Sequence, residues 1–251
     1  MNIKEDIIEE IIKLDKALYK IQCKNWIESM SSGTGAAGLT LEKLLGKAVD
    51  NDVLPDFNKI ELKTRNRYSR YPLHLFSCAF DNRPLEMKRL LNIGGYPDKN
   101  NPQFKVFQIN VDAISDKSVG KFSYRLFVNY EKEIVELLIK YRNSEIIYTK
   151  MSWSFHELKS RLEHKLNYLV IVNVLRDKIN DKFYFKYYER NFYKLKCFNT
   201  FLTLIENGSI NVSFKLTYYH SGERYGEYMD KGTGFEISYS DIPKLFDIID
   251  L

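Results

Sequence analysis

Two carboxylates and an amine stand close together in Pro55-Asp-Phe-Asn-Lys-Ile-Glu-Leu-Lys-Thr, and these residue types in this spacing suit the hydrolysis of a phosphodiester. From Ile60 to Thr64 apolar and polar residues alternate, which predicts a strand with Ile60 and Leu62 on one face and Glu61 and Lys63 on the other. Two residues advance about 6.6 Å along a strand, so Glu61 and Lys63 can converge on one phosphate. Asp56 enters from the turn at the start of the strand, where Pro55 fits. A phosphodiester repels nucleophiles, so its hydrolysis needs a hard divalent cation held by carboxylate oxygens and a water made nucleophilic beside it. Asp56 and Glu61 are the candidate metal ligands, and Lys63 supplies positive charge to the attacking water and the pentacovalent phosphate.

The elements that must position these groups come before them in the chain. Ile7, Ile8, Ile11, Ile12, Leu14 and Leu18 recur at helical spacing among lysines and glutamates, giving an amphipathic first helix. A short helical turn is expected at Trp26, Ile27 and Met30, followed by a loop from Ser31 to Gly38. That loop matches G-x-G-x-x-G, but a dinucleotide site requires a strand before it, and the residues preceding Gly33 read as helical. Thr40 is placed to cap a helix over Leu41–Val49, with Leu41, Leu44 and Leu45 as its apolar stripe and Glu42 in its first turn. There Glu42 either complements the helix dipole or joins Asp56 and Glu61 as a third acid.

Asp56 followed by Glu61-x-Lys63 on a strand resembles the PD-(D/E)XK nuclease motif, a short pattern of low specificity by itself. The flanks add to it. Gly33-Thr-Gly-Ala-Ala-Gly-Leu-Thr-Leu-Glu-Lys-Leu-Leu-Gly, the Pro55 segment and Leu73-His-Leu-Phe-Ser together resemble, in order and spacing, the catalytic half of the MvaI/BcnI restriction endonucleases and, more distantly, the mismatch-repair nickase MutH. The resemblance implies Glu42, Asp56, Glu61 and Lys63 as the catalytic set, Mg2+ as the cofactor with Mn2+ as a possible substitute, double-stranded DNA as substrate, a monomeric enzyme, and a cognate DNA methyltransferase in the same cell. Trp153-Ser-Phe, the Glu206-Asn-Gly turn and the stretch from Tyr219 to Ile237 are similar to the C-terminal half of the same family. The departure lies at Glu236. A member of the family reads His-Gly-Thr-Ala-Phe-Arg-Ile where this chain reads Lys231-Gly-Thr-Gly-Phe-Glu-Ile, and a carboxylate can only accept, from a cytosine amino group for example.

Arg65, Arg67 and Arg70 lie among tyrosines in a turn expected to lead off the catalytic strand, where they would meet a phosphate backbone. Leu73–Phe80 reads as a second strand from which His74 projects, and Asp81–Pro102 as a mobile insertion with one short helix around Leu85–Leu91. Phe104–Val111, Phe122–Tyr130 and Ile134–Tyr141 predict a meander of antiparallel strands. Ser154 and Glu157 make a capping box for a helix over Phe155–Lys165, and Tyr168–Leu175 and Phe183–Tyr188 form a further strand pair. A helix ending at Asn207-Gly208 precedes a strand from Ile210 to Tyr219, and a last helix starts at Ser240. Between them, His220, Ser221, Arg224, Asp230, Lys231 and Glu236 offer the donors and acceptors that base-edge recognition needs.

A chain of 251 residues with 44% apolar content can bury one large core or two lobes, which argues against disorder. A net charge of +5 permits a nucleic-acid partner without demanding one. Three scattered cysteines, Cys23, Cys78 and Cys197, fit neither a disulfide framework nor a zinc spacing, so a reducing, cytoplasmic setting is expected. Met1–Leu18 does not read as a signal peptide, and no apolar run approaches membrane-spanning length. The expectation is an α/β restriction-endonuclease-like fold, a mixed sheet flanked by helices. Catalytic motifs at 33–80 and a main recognition segment at 215–240 would occupy interleaved lobes of one domain, 1–251, around a DNA cleft. The expected activity is site-specific, metal-dependent cleavage of double-stranded DNA, with MutH-like strand nicking and DNA binding without cleavage as the alternatives.

Overall fold

Helix α1 (Glu5–Gln22) buries Ile7, Ile11, Leu14, Leu18 and Ile21, one stripe at i, i+4, i+7 spacing, and leaves Ile8 and Ile12 about two-fifths exposed on its flank. The computed structural model describes residues 5–46, 57, 59–81, 85–141, 146–148 and 150–251. After α1 come β1 (Trp26–Glu28), α2 (Ala36–Leu44), β2 (Ile60–Asn66), β3 (Leu73–Ser77), α3 (Leu85–Gly94), β4 (Tyr96–Pro97), β5 (Lys105–Val111), β6 (Lys117–Val119), β7 (Phe122–Asn129), β8 (Ile134–Tyr141) and β9 (Ile146–Tyr148). The chain continues through β10 (Ser152–Ser154), α4 (Phe155–Leu166), β11 (Tyr168–Ile179), β12 (Lys182–Leu195), α5 (Phe198–Glu206), β13 (Ile210–Tyr218), β14 (Tyr228–Asp230), β15 (Gly234–Ile237), α6 (Ile242–Leu245) and β16 (Phe246–Ile249). The chain is mixed α/β, and it divides into two compact units that interleave in sequence.

The first unit comprises Met1–Tyr71, Arg161–Lys196 and Phe246–Leu251. Its described strands form one sheet in the order β1-β12-β11-β2, with β16 also on β12. β11 and β12 make a long antiparallel hairpin whose turn residues Asn180 and Asp181 have φ of 47° and 64°, the sign that a tight two-residue hairpin requires. β2 joins β11 in parallel, with Glu61 opposite Leu169 and Lys63 opposite Ile171. The buried stripe of α1 packs with Ile60, Leu62, Val170, Val172, Phe185, Tyr187 and Phe192. Ile60 and Leu62 therefore face this core, and pleating sends Glu61 and Lys63 to the other side of the sheet.

The second unit comprises Pro72–Ser160 and Cys197–Leu245. Its described strands form two sheets, one ordered β3-β15-β13-β5-β4 with β14 on β13, the other β10-β8-β7-β6 with β9 on β8. Aromatic rings fill the core. Trp153 is fully buried, 4.5 Å from Phe80 and 5.3 Å from Phe235 between centroids, and its Nε1 donates to the Cys78 carbonyl at 3.1 Å. Among the described residues no helix is long and apolar enough to cross a membrane. The three cysteines are free.

Several local expectations are corrected. Trp26–Glu28 is strand, not helix, because Trp26, Ile27 and Glu28 pair with Lys186, Phe185 and Tyr184 at the edge of the sheet. Helix α2 starts five residues earlier than expected, at Ala36 behind Gly35. Thr40 lies inside it and, instead of capping, accepts a hydrogen bond from the Met30 N–H at 3.0 Å. Arg65 belongs to β2 itself rather than to the turn after it. The insertion after Asp81 carries α3, with Met87, Leu90 and Leu91 buried, and β4, which pairs with β5. β5 pairs with β13 and is no part of the β6-β7-β8 meander. The last helix is only a turn long and gives way to β16, which pairs with β12.

Candidate active site and nucleic-acid interface

Among the described strands β2 lies at the end of its sheet, and it carries the candidate chemistry on the face away from the α1 core. The Lys63 ammonium donates to Glu61 Oε1 at 2.7 Å, and the Glu61 side chain is only 2% exposed. A carboxylate so withdrawn from water needs cationic partners. It has a second one in Lys165, from the last turn of α4, whose Nζ is 3.7 Å from the same Oε1. Both lysines remain about one-fifth exposed, so the group opens to solvent through its ammonium ends.

Lys165 was not among the residues the sequence singled out. Sequence pattern marks it as a cation in a helix's last turn, where the dipole favours it, and nothing local ties it to a strand a hundred residues earlier.

Asp56 lies outside the described residues. Glu42 sits on α2, which is held by hydrogen bonds from Tyr187 Oη to the Ala37 carbonyl at 2.8 Å and from Lys43 Nζ to the Met30 carbonyl at 2.9 Å. Helix α2 runs close to β2 at Gly38, where a Cβ would make ordinary contacts of 3.6 Å with Thr64 Oγ1 and 3.8 Å with Glu42 Oε1. Glu42 therefore stands near β2 at Thr64, a position that by alternation shares the face of Ile60 and Leu62 and not that of Glu61 and Lys63. With its helix starting at Ala36, Glu42 stands in the C-terminal half of α2, and the expected complement to the N-terminal dipole does not apply. Among the described residues no three His, Cys, Asp or Glu side chains form a metal-holding group. The carboxylate oxygens of Glu61 are of the kind a hard cation takes, but the two ammonium groups beside them oppose a further positive charge, so an ion held there needs additional carboxylates.

Arg67 and Arg70 are exposed in the segment after β2, beside Tyr68 and Tyr71 at 79% and 87% exposure, while Arg65 is half-buried on the strand. The Arg67 N–H donates to the Val174 carbonyl at 3.1 Å, which pins the start of this loop to β11.

In the second unit the predicted recognition residues fall into two groups. One is the loop between β13 and β14. It is closed by Tyr219 N–H to the Glu227 carbonyl and Gly226 N–H to the Tyr219 carbonyl, both 2.9 Å, with Gly226 at φ 78°. Ser221 is exposed there. Arg224 donates to Glu227 at 2.7 Å and to Tyr219 Oη at 2.8 Å, and the bond to Glu227 raises its pKa. His220, at the loop's base, is half-buried against Phe104 with centroids 4.9 Å apart.

The other group surrounds β15. Asp230 is committed to a turn, accepting from the N–H groups of Gly232 at 3.0 Å and Thr233 at 2.7 Å, which leaves the adjoining Lys231 exposed. Glu236 is 8% exposed, with Lys215 Nζ at 2.9 Å and His74 Nδ1 at 3.7 Å. Burial pushes its pKa up, but the neighbouring His74 imidazole and the hydrogen bond from Lys215 outweigh that and hold the carboxyl below its ordinary value. Glu236, expected to accept from a base amino group, is already paired with Lys215. β15 lies between β3 and β13, and what the sheet presents is a Lys215–Glu236–His74 group whose outer members are each more than one-third exposed. Gly234 makes room for His74, since a Cβ there would come within 2.5 Å of the imidazole Cε1 and 2.3 Å of the Phe76 carbonyl oxygen.

Residues 15–246 match the model of the MvaI/BcnI restriction endonuclease family. Among solved structures, that of the restriction endonuclease MvaI in complex with its cognate DNA substrate is 26% identical with a TM-score of 0.88, over 99% of this chain and 99% of that one. MvaI in the absence of DNA is 23% identical with a TM-score of 0.63, over 99% and 98%. A comparison with curated proteins finds no match.

Proposed function

The chain belongs to the MvaI/BcnI restriction endonuclease family, and on that premise we propose that it is a magnesium-dependent type II endonuclease. It hydrolyses both strands of duplex DNA at one short sequence, as a monomer, in a cell that also holds a methyltransferase for that sequence. The observation that carries this reading is the Glu61–Lys63 pair, an ammonium 2.7 Å from a carboxylate that is 2% exposed, both on β2. The similarity to a complex of MvaI with cognate DNA supports duplex DNA as the substrate.

Glu61 and Asp56 would hold Mg2+, or Mn2+ in its place, with Glu42 as the further acid. Bound there, the ion supplies a Lewis acid that polarises a phosphoryl oxygen and a water of lowered pKa. The protein's own groups do the rest. The Lys63 ammonium, fixed by its bond to Glu61, stands where negative charge develops as the phosphorus gains a fifth oxygen, and a preorganised cation there needs no reorganisation during reaction. Lys165, beside the same Glu61 oxygen, helps keep the carboxylate oriented. Arg65, Arg67 and Arg70 contact phosphates and are blind to sequence. The segment from His220 to Glu236 reads base edges, with Lys215 and His74 completing the group around Glu236.

Incubating plasmid with the purified protein and Mg2+, with EDTA as control, tests this. Discrete linear fragments that EDTA abolishes are expected. Circles nicked only at hemimethylated sites would make it a repair nickase, and binding without cutting in any divalent cation would make it a DNA-binding protein.

A further inference from the structure

We propose that Asn101 and Phe104 are positioning residues for sequence readout, holding His220 in one orientation with its ring proton on Nε2. The proposal rests on the reading of the His220–Glu236 segment as the base-reading part of a site-specific nuclease. Asn101 comes from the insertion expected to be a mobile loop and Phe104 from the expected start of the next strand, yet both sit on a closed turn. Asp98 Oδ1 accepts from the N–H groups of Asn100 at 2.8 Å and Asn101 at 2.9 Å, Asp98 N–H donates to the Phe104 carbonyl at 2.8 Å, and Phe104 N–H donates to the Asn101 carbonyl at 2.9 Å. Such a turn presents two side chains in fixed directions.

Phe104 is the centre of the contact. Its ring stacks on His220 at 4.9 Å and 15°, lies 5.9 Å from Tyr218 at 29°, and meets the edge of Tyr225 at 5.3 Å and 78°. One ring therefore touches the end of β13, the base of the recognition loop and a residue near its tip. The second tie is polar: Asn101 Nδ2 stands 3.1 Å from His220 Nδ1. An amide nitrogen can only donate, so Nδ1 accepts and the ring proton belongs to Nε2. Among the described residues Nε2 is shielded from solvent and has no hydrogen-bond partner. A buried N–H without an acceptor is destabilising, so a donor held this way favours any arrangement of the loop that brings an acceptor to it. Base edges and phosphates both carry acceptors. The charged groups near this turn are Asp98 and Lys231, and among the described residues the side chain bonded to the imidazole is Asn101.

The test has two readouts. Ring nitrogen NMR of His220 in the DNA-free protein should show the Nε2–H form in the wild type and the Nδ1–H form in Asn101→Asp, whose carboxylate can only accept. The Nδ1–H form in the wild type overturns the proposal. The second readout is the ratio of kcat/KM for the cleaved sequence to kcat/KM for one-base variants of it. Asn101→Ala and Phe104→Leu should each lower that ratio about tenfold, with kcat on the best sequence changed less than threefold and the melting temperature retained. Asn101→Ala should add nothing further in a His220→Ala background. An unchanged ratio in both single variants, or full additivity with His220→Ala, overturns the proposal. If the wild type cuts no DNA, the functional reading fails by itself, and the NMR result still decides where the proton lies.

Discussion

Replacing Lys63 by Met keeps most of the side chain's length and apolar stem while removing the ammonium that lies 2.7 Å from Glu61. At an effective dielectric constant of about 20, that separation corresponds to about 6 kcal/mol of attraction before desolvation is counted. Lys165, at 3.7 Å from the same oxygen, retains about 4.5 kcal/mol on the same scale. The buried carboxylate thus keeps a cation in Lys63→Met, and the fold should lose no more than about 1–2 kcal/mol, well under the cost of stranding a buried charge outright. Catalysis has no such reserve, because Lys63 is the ammonium that the reacting strand itself sets against Glu61. Removing one preorganised group that stabilises transition-state charge costs about 3–4 kcal/mol, or a factor of about 10²–10³ in rate. Single-turnover cleavage of plasmid in Mg2+, with binding measured separately in Ca2+, separates the two effects. The expected result is a 10²–10³-fold slower cut with DNA affinity changed less than threefold. Cleavage within tenfold of wild type, or affinity lost in proportion to rate, would refute the placement of Lys63 at the reacting phosphate.

Other consequences follow from the same structure. Trp153→Ala removes a fully buried indole and its bond to the Cys78 carbonyl; urea unfolding followed by near-ultraviolet circular dichroism should show a loss of about 3–5 kcal/mol. The pKa of Glu236 is held below its ordinary value of 4.5 in the folded chain, so the stability it contributes is complete above that value and is lost as pH falls through the lower folded one. Glu236→Gln should therefore flatten the stability profile on the acid side of pH 4.5, and unfolding midpoints at pH 6 and pH 3.5 that fall equally in both proteins would contradict this. Arg67→Ala should reduce the slope of log affinity against log salt by about one without changing the cleaved sequence, whereas Arg224→Ala should relax or alter that sequence in a random-site cleavage library.

The catalytic strand was legible because its signal is local. A period of two over Ile60–Thr64 fixes which residues share a face, and the structure puts Ile60 and Leu62 in the core with Glu61 and Lys63 opposite. Helix α1 was legible for the same reason, whereas β11, buried in one unbroken run, and β12 were legible by their aliphatic and aromatic residues and extend past the expected Leu175 and Tyr188 to Ile179 and Leu195. Trp26–Glu28 is three residues and shows no period; it is strand only because β12 offers it an edge. Thr40 before a leucine stripe looks like a cap, and only the tertiary partner, the Met30 N–H, reveals its use. β16 follows a helix-starting proline and likewise exists by pairing with β12. At the sites the same division holds. Lys63 was found by spacing, while Lys165, Lys215 and His74 act on carboxylates that are far away in sequence and meet them only through chain crossing and strand pairing.

The central claim is that Glu61 and Lys63 serve sequence-specific hydrolysis of duplex DNA. Sequencing the ends of fragments cut from a random-sequence library in Mg2+, by the wild type and by Glu61→Gln in parallel, tests it most directly. The account predicts one short motif at every wild-type end, on both strands, and no ends above background from Glu61→Gln. Ends without a common motif, or the same ends from Glu61→Gln at comparable yield, would contradict it.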